Sequence, residues 1–136
     1  MTSIRIECSL PAEPARVWEA WTHPSLMDRW MCPNPDLAVS AHADAREGGV
    51  YRINMGGEYI ATGTYVRLEE PAVLECTWRW EHETLTTALL VELRPSEDGG
   101  THLVLTHADF TDDEDAAGTR QGWELSLSRL GSLLEA

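Results

Sequence analysis

Apolar and polar positions follow two different periods along this chain, and the switch between them outlines the fold. At the C-terminal end Trp123, Leu127, Leu130 and Leu134 recur at i, i+4, i+7 and i+11, with Glu124, Ser128 and Arg129 off the stripe. At 3.6 residues per turn this is one apolar face of a helix, and each large side chain on it is worth roughly 1.5–3 kcal/mol if fully buried. Upstream, most of the segment from Ser40 to Phe110 has a period near two, so the surface that covers this helix is expected to be one face of an antiparallel sheet. A long helix on a curved sheet leaves a space between the two layers, and function is expected there.

Ile4, Ile6 and Cys8 alternate with Arg5 and Glu7 and predict a first strand. Pro14 then sits in the first turn of a short helix carrying Val17, Trp18 and Trp21, which ends at Thr22-His23-Pro24. Ser25 is placed to cap a second short helix with Leu26, Met27 and Trp30, stopped by Pro33 and Pro35. Leu37 to Ala41 reads as an edge strand, and Val50 to Met55 as the next strand. Gly56-Gly57 is a hairpin turn, since both positions accept positive φ. Returning strands follow at Glu58 to Leu68, Leu74 to Trp80, Thr84 to Leu93 and Thr101 to Asp109. The last of these sets Leu103, Leu105 and His107 on one face. Thr111 and Glu114 have capping-box spacing, and Gly118 is expected to break or kink the final helix. The order predicts one α+β domain over residues 1–136, with six to seven antiparallel strands and helices segregated at the ends.

Charge narrows the partners. The 136-residue chain has 23 acidic against 10 basic residues, a net charge of −13, which opposes contact with nucleic-acid phosphates or anionic membranes. No apolar run reaches the roughly 18–20 residues of a membrane span, and Met1 to Glu7 lacks the parts of a signal peptide, so a soluble cytoplasmic protein is expected. Cys8, Cys32 and Cys76 are odd in number and widely spaced, which argues for small buried side chains rather than disulfides or zinc. No set of residues has metal-ligand spacing, and no cofactor is implied.

Read together, Pro14-Ala15-Arg16-Val17-Trp18-Glu19-Ala20-Trp21-Thr22-His23-Pro24, Arg29-Trp30, Arg46-Glu47-Gly48-Gly49, Gly63-Thr64-Tyr65, Thr77-Trp78, Leu105-Thr106-His107 and Gly122-Trp123 form an ordered set. The set resembles the AHSA1-like (activator of Hsp90 ATPase homologue 1-like) branch of the START/Bet v 1, or SRPBCC, superfamily. The resemblance implies a helix-grip fold, a curved sheet wrapped around the C-terminal helix with two short helices closing one end. Many members carry a second Trp after the Arg-Trp pair and a Gly before the Pro. Here Met31 and Cys32 fill that stretch, which implies a softer, less aromatic pocket edge.

Six tryptophans are many for this length. Trp18 and Trp21 are expected in the core, whereas Trp30, Met31, Tyr51, Met55, Trp78, Trp80, Leu105, His107, Trp123 and Leu127 are expected to line a cavity for a small hydrophobic or aromatic ligand. His107 is the one candidate acid or base, set against the simpler role of a histidine bonded to a neighbour. The resemblance supplies two rivals to ligand binding. One is a polyketide cyclase or dehydratase-like reaction at His107, and the other an Hsp90-type co-chaperone or protein-interaction role. A homodimer through a sheet edge stays open.

Overall fold

The period-two segments pair into one seven-stranded antiparallel sheet in the order β1-β7-β6-β5-β4-β3-β2. The computed structural model describes residues 2–135; Met1 and Ala136, the ends of the expected domain, lie outside the described residues. Strand β1 (Thr2–Leu10) is followed by helices α1 (Pro14–Thr22) and α2 (Pro24–Met27). Strands β2 (Val39–Ala43), β3 (Val50–Met55), β4 (Tyr59–Glu69), β5 (Val73–Trp80), β6 (Thr87–Pro95) and β7 (Thr101–Phe110) come next, then the long helix α3 (Asp113–Glu135). Alternation decides which side of each strand is covered. Leu74, Cys76 and Trp78 on β5, Thr87, Leu89, Val91 and Leu93 on β6, and Leu103, Leu105 and His107 on β7 are all buried. The β3–β4 turn uses Gly56 and Gly57 at φ 71° and 82°, and Asn54 Oδ1 accepts the Gly57 N–H at 2.7 Å.

Helix α3 packs on β1 and β7, and its stripe of Trp123, Leu127, Leu130 and Leu134 is buried as expected. The chain therefore has the α+β helix-grip architecture. The two halves of α3 differ, however. From Trp123 onward the helix presents large apolar side chains to the core, whereas Ala116 is the one buried residue before it.

Four local expectations are corrected. The N-cap of α2 is His23, with Pro24 in the first turn, so Ser25 lies inside the helix instead of capping it. At α3 the cap is Asp112, whose Oδ1 accepts the N–H of Glu114 at 2.7 Å and of Asp115 at 3.3 Å; a carboxylate at the positive helix end displaces Thr111. Gly118 does not break the helix, which runs unbroken from Asp113 to Glu135. The edge strand begins at Val39 rather than Leu37, because Asn34 holds a turn by accepting the Asp36 N–H at 2.9 Å and the Leu37 N–H at 3.3 Å.

Trp30 shows how the helical pair is locked. The Ala20 carbonyl at the end of α1 would ordinarily be bonded by the residue four ahead, but that residue is Pro24, which has no N–H. The Trp30 indole N–H fills the gap at 2.8 Å, and the ring meets Trp21 edge-on with centroids 4.7 Å apart. Trp30→Phe leaves that buried carbonyl without a partner. We expect a loss of about 1–3 kcal/mol in urea unfolding, with affinity for any cavity ligand unchanged.

Candidate functional site

Residues 114, 115, 118, 119, 122, 123 and 126 of α3 recur every three to four positions and share one helix face. Two of them, Gly118 and Gly122, carry no side chain. A Cβ built at Gly118 would meet no atom within 4 Å, and one at Gly122 would touch only Pro33, at 3.9 Å. The N-terminal half of α3 thus stands off the sheet with nothing to fill the interval, and a cavity of about 530 Å³ occupies it. Trp78 and Trp80 of β5, His107 and Phe110 of β7 and Met55 of β3 form the sheet side. The segment after α2 contributes Met31, Cys32 and Leu37, and Trp123 closes the inner end.

The aromatic rings are arranged edge to face. Trp78 meets Trp123 at 5.3 Å and 60°, Trp80 at 5.6 Å and 87°, and His107 at 5.8 Å and 71°. Such pairs prefer this arrangement because the ring edge is positive and the face negative. Trp21 stacks on Trp123 at 5.6 Å and 29°, and among the described residues its own buried indole N–H has no acceptor.

His107 is fully buried, and both ring nitrogens are committed. The Trp123 indole N–H, which can only donate, hydrogen-bonds to Nδ1 at 3.1 Å, so Nδ1 is the acceptor. Nε2 therefore carries the ring hydrogen and donates to Thr87 Oγ1 at 2.7 Å, and that hydroxyl donates to the Trp78 carbonyl at 3.0 Å. One chain of donors fixes the neutral tautomer. Burial without a nearby carboxylate also lowers the His107 pKa from 6.5 to about 4.

Of the expected lining, Met31, Met55, Trp78, Trp80, His107 and Trp123 come together at the cavity. The other four lie behind it. Trp30 is tied into the helical pair, and Leu105 and Leu127 sit in the packed core between sheet and helix. Tyr51 lines a separate void of about 20 Å³ and donates its hydroxyl to the Thr77 carbonyl at 2.5 Å. Burial raises its phenol pKa well above the usual value and pushes the neighbouring Cys76 thiol up to about 12. The lining residues missed in the sequence include Leu37, Leu85, Phe110 and the Gly118–Gly122 pair. Two glycines one turn apart on the Trp123 face were the available signal. Among the described residues no three His, Cys, Asp or Glu side chains are placed to hold a metal, and no helix is long and apolar enough to cross a membrane.

The family model described as activator of Hsp90 ATPase homolog 1-like protein matches residues 11–135. The chain belongs to the AHSA1-like family. CalU16 from Micromonospora echinospora is similar to this AHSA1-like domain at 30% identity, with a TM-score of 0.73, over 97% of this chain and 75% of that one. A protein from Chromobacterium violaceum superposes with a TM-score of 0.87 at 24% identity, over 100% of this chain and 99% of that one. One from Mesorhizobium loti does so at 0.86 and 21%, over 98% and 97%. At these lower identities the likeness is one of fold. No curated protein matches the chain. In this AHSA1-like domain the Met31-Cys32 stretch lies in the cavity wall.

Proposed function

We propose that this AHSA1-like domain binds a small hydrophobic or aromatic molecule in the cavity between the sheet and α3. The observation that carries the reading is the cavity itself, about 530 Å³ and walled by Trp78, Trp80, Trp123, Phe110, Met31 and Met55. That volume falls within the roughly 300–1,000 Å³ of small-molecule sites, and the wall is aromatic and thioether surface of the kind that holds flat apolar rings. The Trp123 indole N–H, the His107 ring N–H and the Thr87 hydroxyl are used within one chain that ends on the Trp78 carbonyl. With Trp78, Trp123 and Phe110 around that chain, the deep end suits a mainly aromatic or apolar group. The same chain bears on the rival enzymatic reading. A neutral His107 with both nitrogens engaged has no free atom for proton transfer until Trp123 or Thr87 lets go.

Tryptophan fluorescence tests the proposal. Titration with a panel of apolar and aromatic small molecules is expected to give saturable quenching at micromolar concentration. A rise in Tm should accompany it, since ligand at 100 times Kd adds about 2.7 kcal/mol to the folded state. A flat response in both readouts across a chemically broad panel would overturn the reading.

A further inference from the structure

The cavity's mouth differs in chemistry from its floor. Glu114 and Asp115 on the first turn of α3 and Glu83 on the β5–β6 connection all line it, and no arginine does. The chain has no lysine, and all ten of its basic residues are arginine. The arginines of the adjoining segments are occupied elsewhere. Arg79 donates to the carbonyls of Trp80, Glu81 and Glu83, Arg52 pairs with Glu81, and Arg129 donates to the carbonyls of Cys32 and Arg29. Among the described residues the Glu83 carboxylate makes one ion-pair contact, with His82 at 3.4 Å. The helix dipole favours acidic groups anywhere in a first turn. Asp113 meets that need while bonding to Thr2, away from the cavity. The dipole does not explain a carboxylate on the strand connection facing the same opening. Two aromatic rings, the partly exposed Trp80 and the exposed Tyr59, share the rim with these acids.

Resting on the ligand-binding reading, we infer that the occupant is an organic cation: an apolar or aromatic body seated on Trp78 and Trp123, with an ammonium group at the mouth among Glu83, Glu114, Asp115 and the faces of Trp80 and Tyr59. Each part has its physical reason. The floor, walled by Trp78, Trp123 and Phe110, carries no carboxylate, so the charge stays at the entrance, where water and carboxylates solvate it. Rim aromatics attract a cation through the negative ring face. A net charge of −13 concentrates cations at a negatively lined opening and repels carboxylate ligands of the same shape.

A matched set of probes of nearly equal size tests this by calorimetry: naphthylmethylamine, naphthylmethanol and naphthoate, against the wild type and a combined Glu83→Gln, Glu114→Gln, Asp115→Asn variant. The amine is expected to bind about tenfold more tightly than the alcohol at low salt, and naphthoate most weakly. In the triple variant the amine should fall to the affinity of the alcohol, whose own binding stays unchanged. If amine and alcohol bind the wild type equally, if naphthoate binds best, or if the amine keeps its advantage in the triple variant, the cationic assignment fails and the apolar cavity stands. If none of the three binds the wild type, both readings fail together.

Discussion

In Gly118→Leu, cavity affinity is expected to fall by roughly ten- to a hundredfold while the protein becomes more stable, not less. Position 118 lies on the cavity face of α3, and a side chain there meets no atom within 4 Å of its Cβ. Leucine therefore enters space that the empty fold leaves open. Glycine inside a helix costs about 0.8–1 kcal/mol relative to alanine, and leucine is nearly as good as alanine, so the replacement should stabilise by about 0.5–1 kcal/mol. The ligand meets the opposite situation. Its place is partly filled, and forcing extra methylenes into an occupied, well-packed site costs about 1–3 kcal/mol, which gives the stated loss of affinity. Fluorescence titration and a thermal melt of the same sample read the two effects separately. Unchanged affinity in a more stable protein would place binding somewhere other than this cavity.

The second large effect is acid destabilisation through His107. In the folded chain its pKa is lowered to about 4 by burial, against 6.5 when exposed. Between those values the unfolded chain holds a proton on this ring and the folded chain does not. Stability is therefore fully present above pH 6.5 and is lost as the pH falls towards 4, by about 3 kcal/mol in all. Glu7, Glu81 and Asp98 have carboxyls held below their ordinary values, chiefly by side-chain hydrogen bonds from Arg5, Arg52 and Ser96. Their part in acid unfolding begins lower, below about pH 4.5. The upper window thus belongs to His107. Urea unfolding at several pH values from 4.5 to 7 should give a steep slope for the wild type and a much flatter one for His107→Leu, itself less stable throughout. Equal slopes would mean that His107 is charged in the folded protein, which the Trp123 N–H on Nδ1 does not allow.

The fold was legible because its largest energetic terms are periodic. Trp123, Leu127, Leu130 and Leu134 announced a helix with one covered face, and the alternation on β5, β6 and β7 assigned the inward side chains correctly, His107 among them. Periodicity gives the face of an element but not the depth of a residue along it. Leu105 and Leu127 point inward as expected, yet they lie where sheet and helix are in contact, while His107 and Trp123 lie where the layers part. Trp30 was read by its aromatic character, but its place is set by the donor that Pro24 cannot supply. Gly118 was read by its low helix propensity. The Asp112 cap and the buried stripe that begins at Trp123 hold the helix through it, and the missing side chain makes room instead. The acidic mouth joins the start of α3 to a strand connection some thirty residues earlier, a proximity that only the closed fold creates.

The proposed binding places a small apolar-bodied molecule in the space between the sheet and the N-terminal half of α3. The most direct test is to follow the tryptophan indole N–H signals by two-dimensional NMR during titration with naphthylmethylamine. Saturable shifts are expected of Trp78, Trp80 and Trp123, which line the cavity, and static signals from Trp18 and Trp30, which pack away from it. Static signals from all three cavity tryptophans at saturating probe, or equal shifts of Trp18 and Trp30, would contradict the proposed binding.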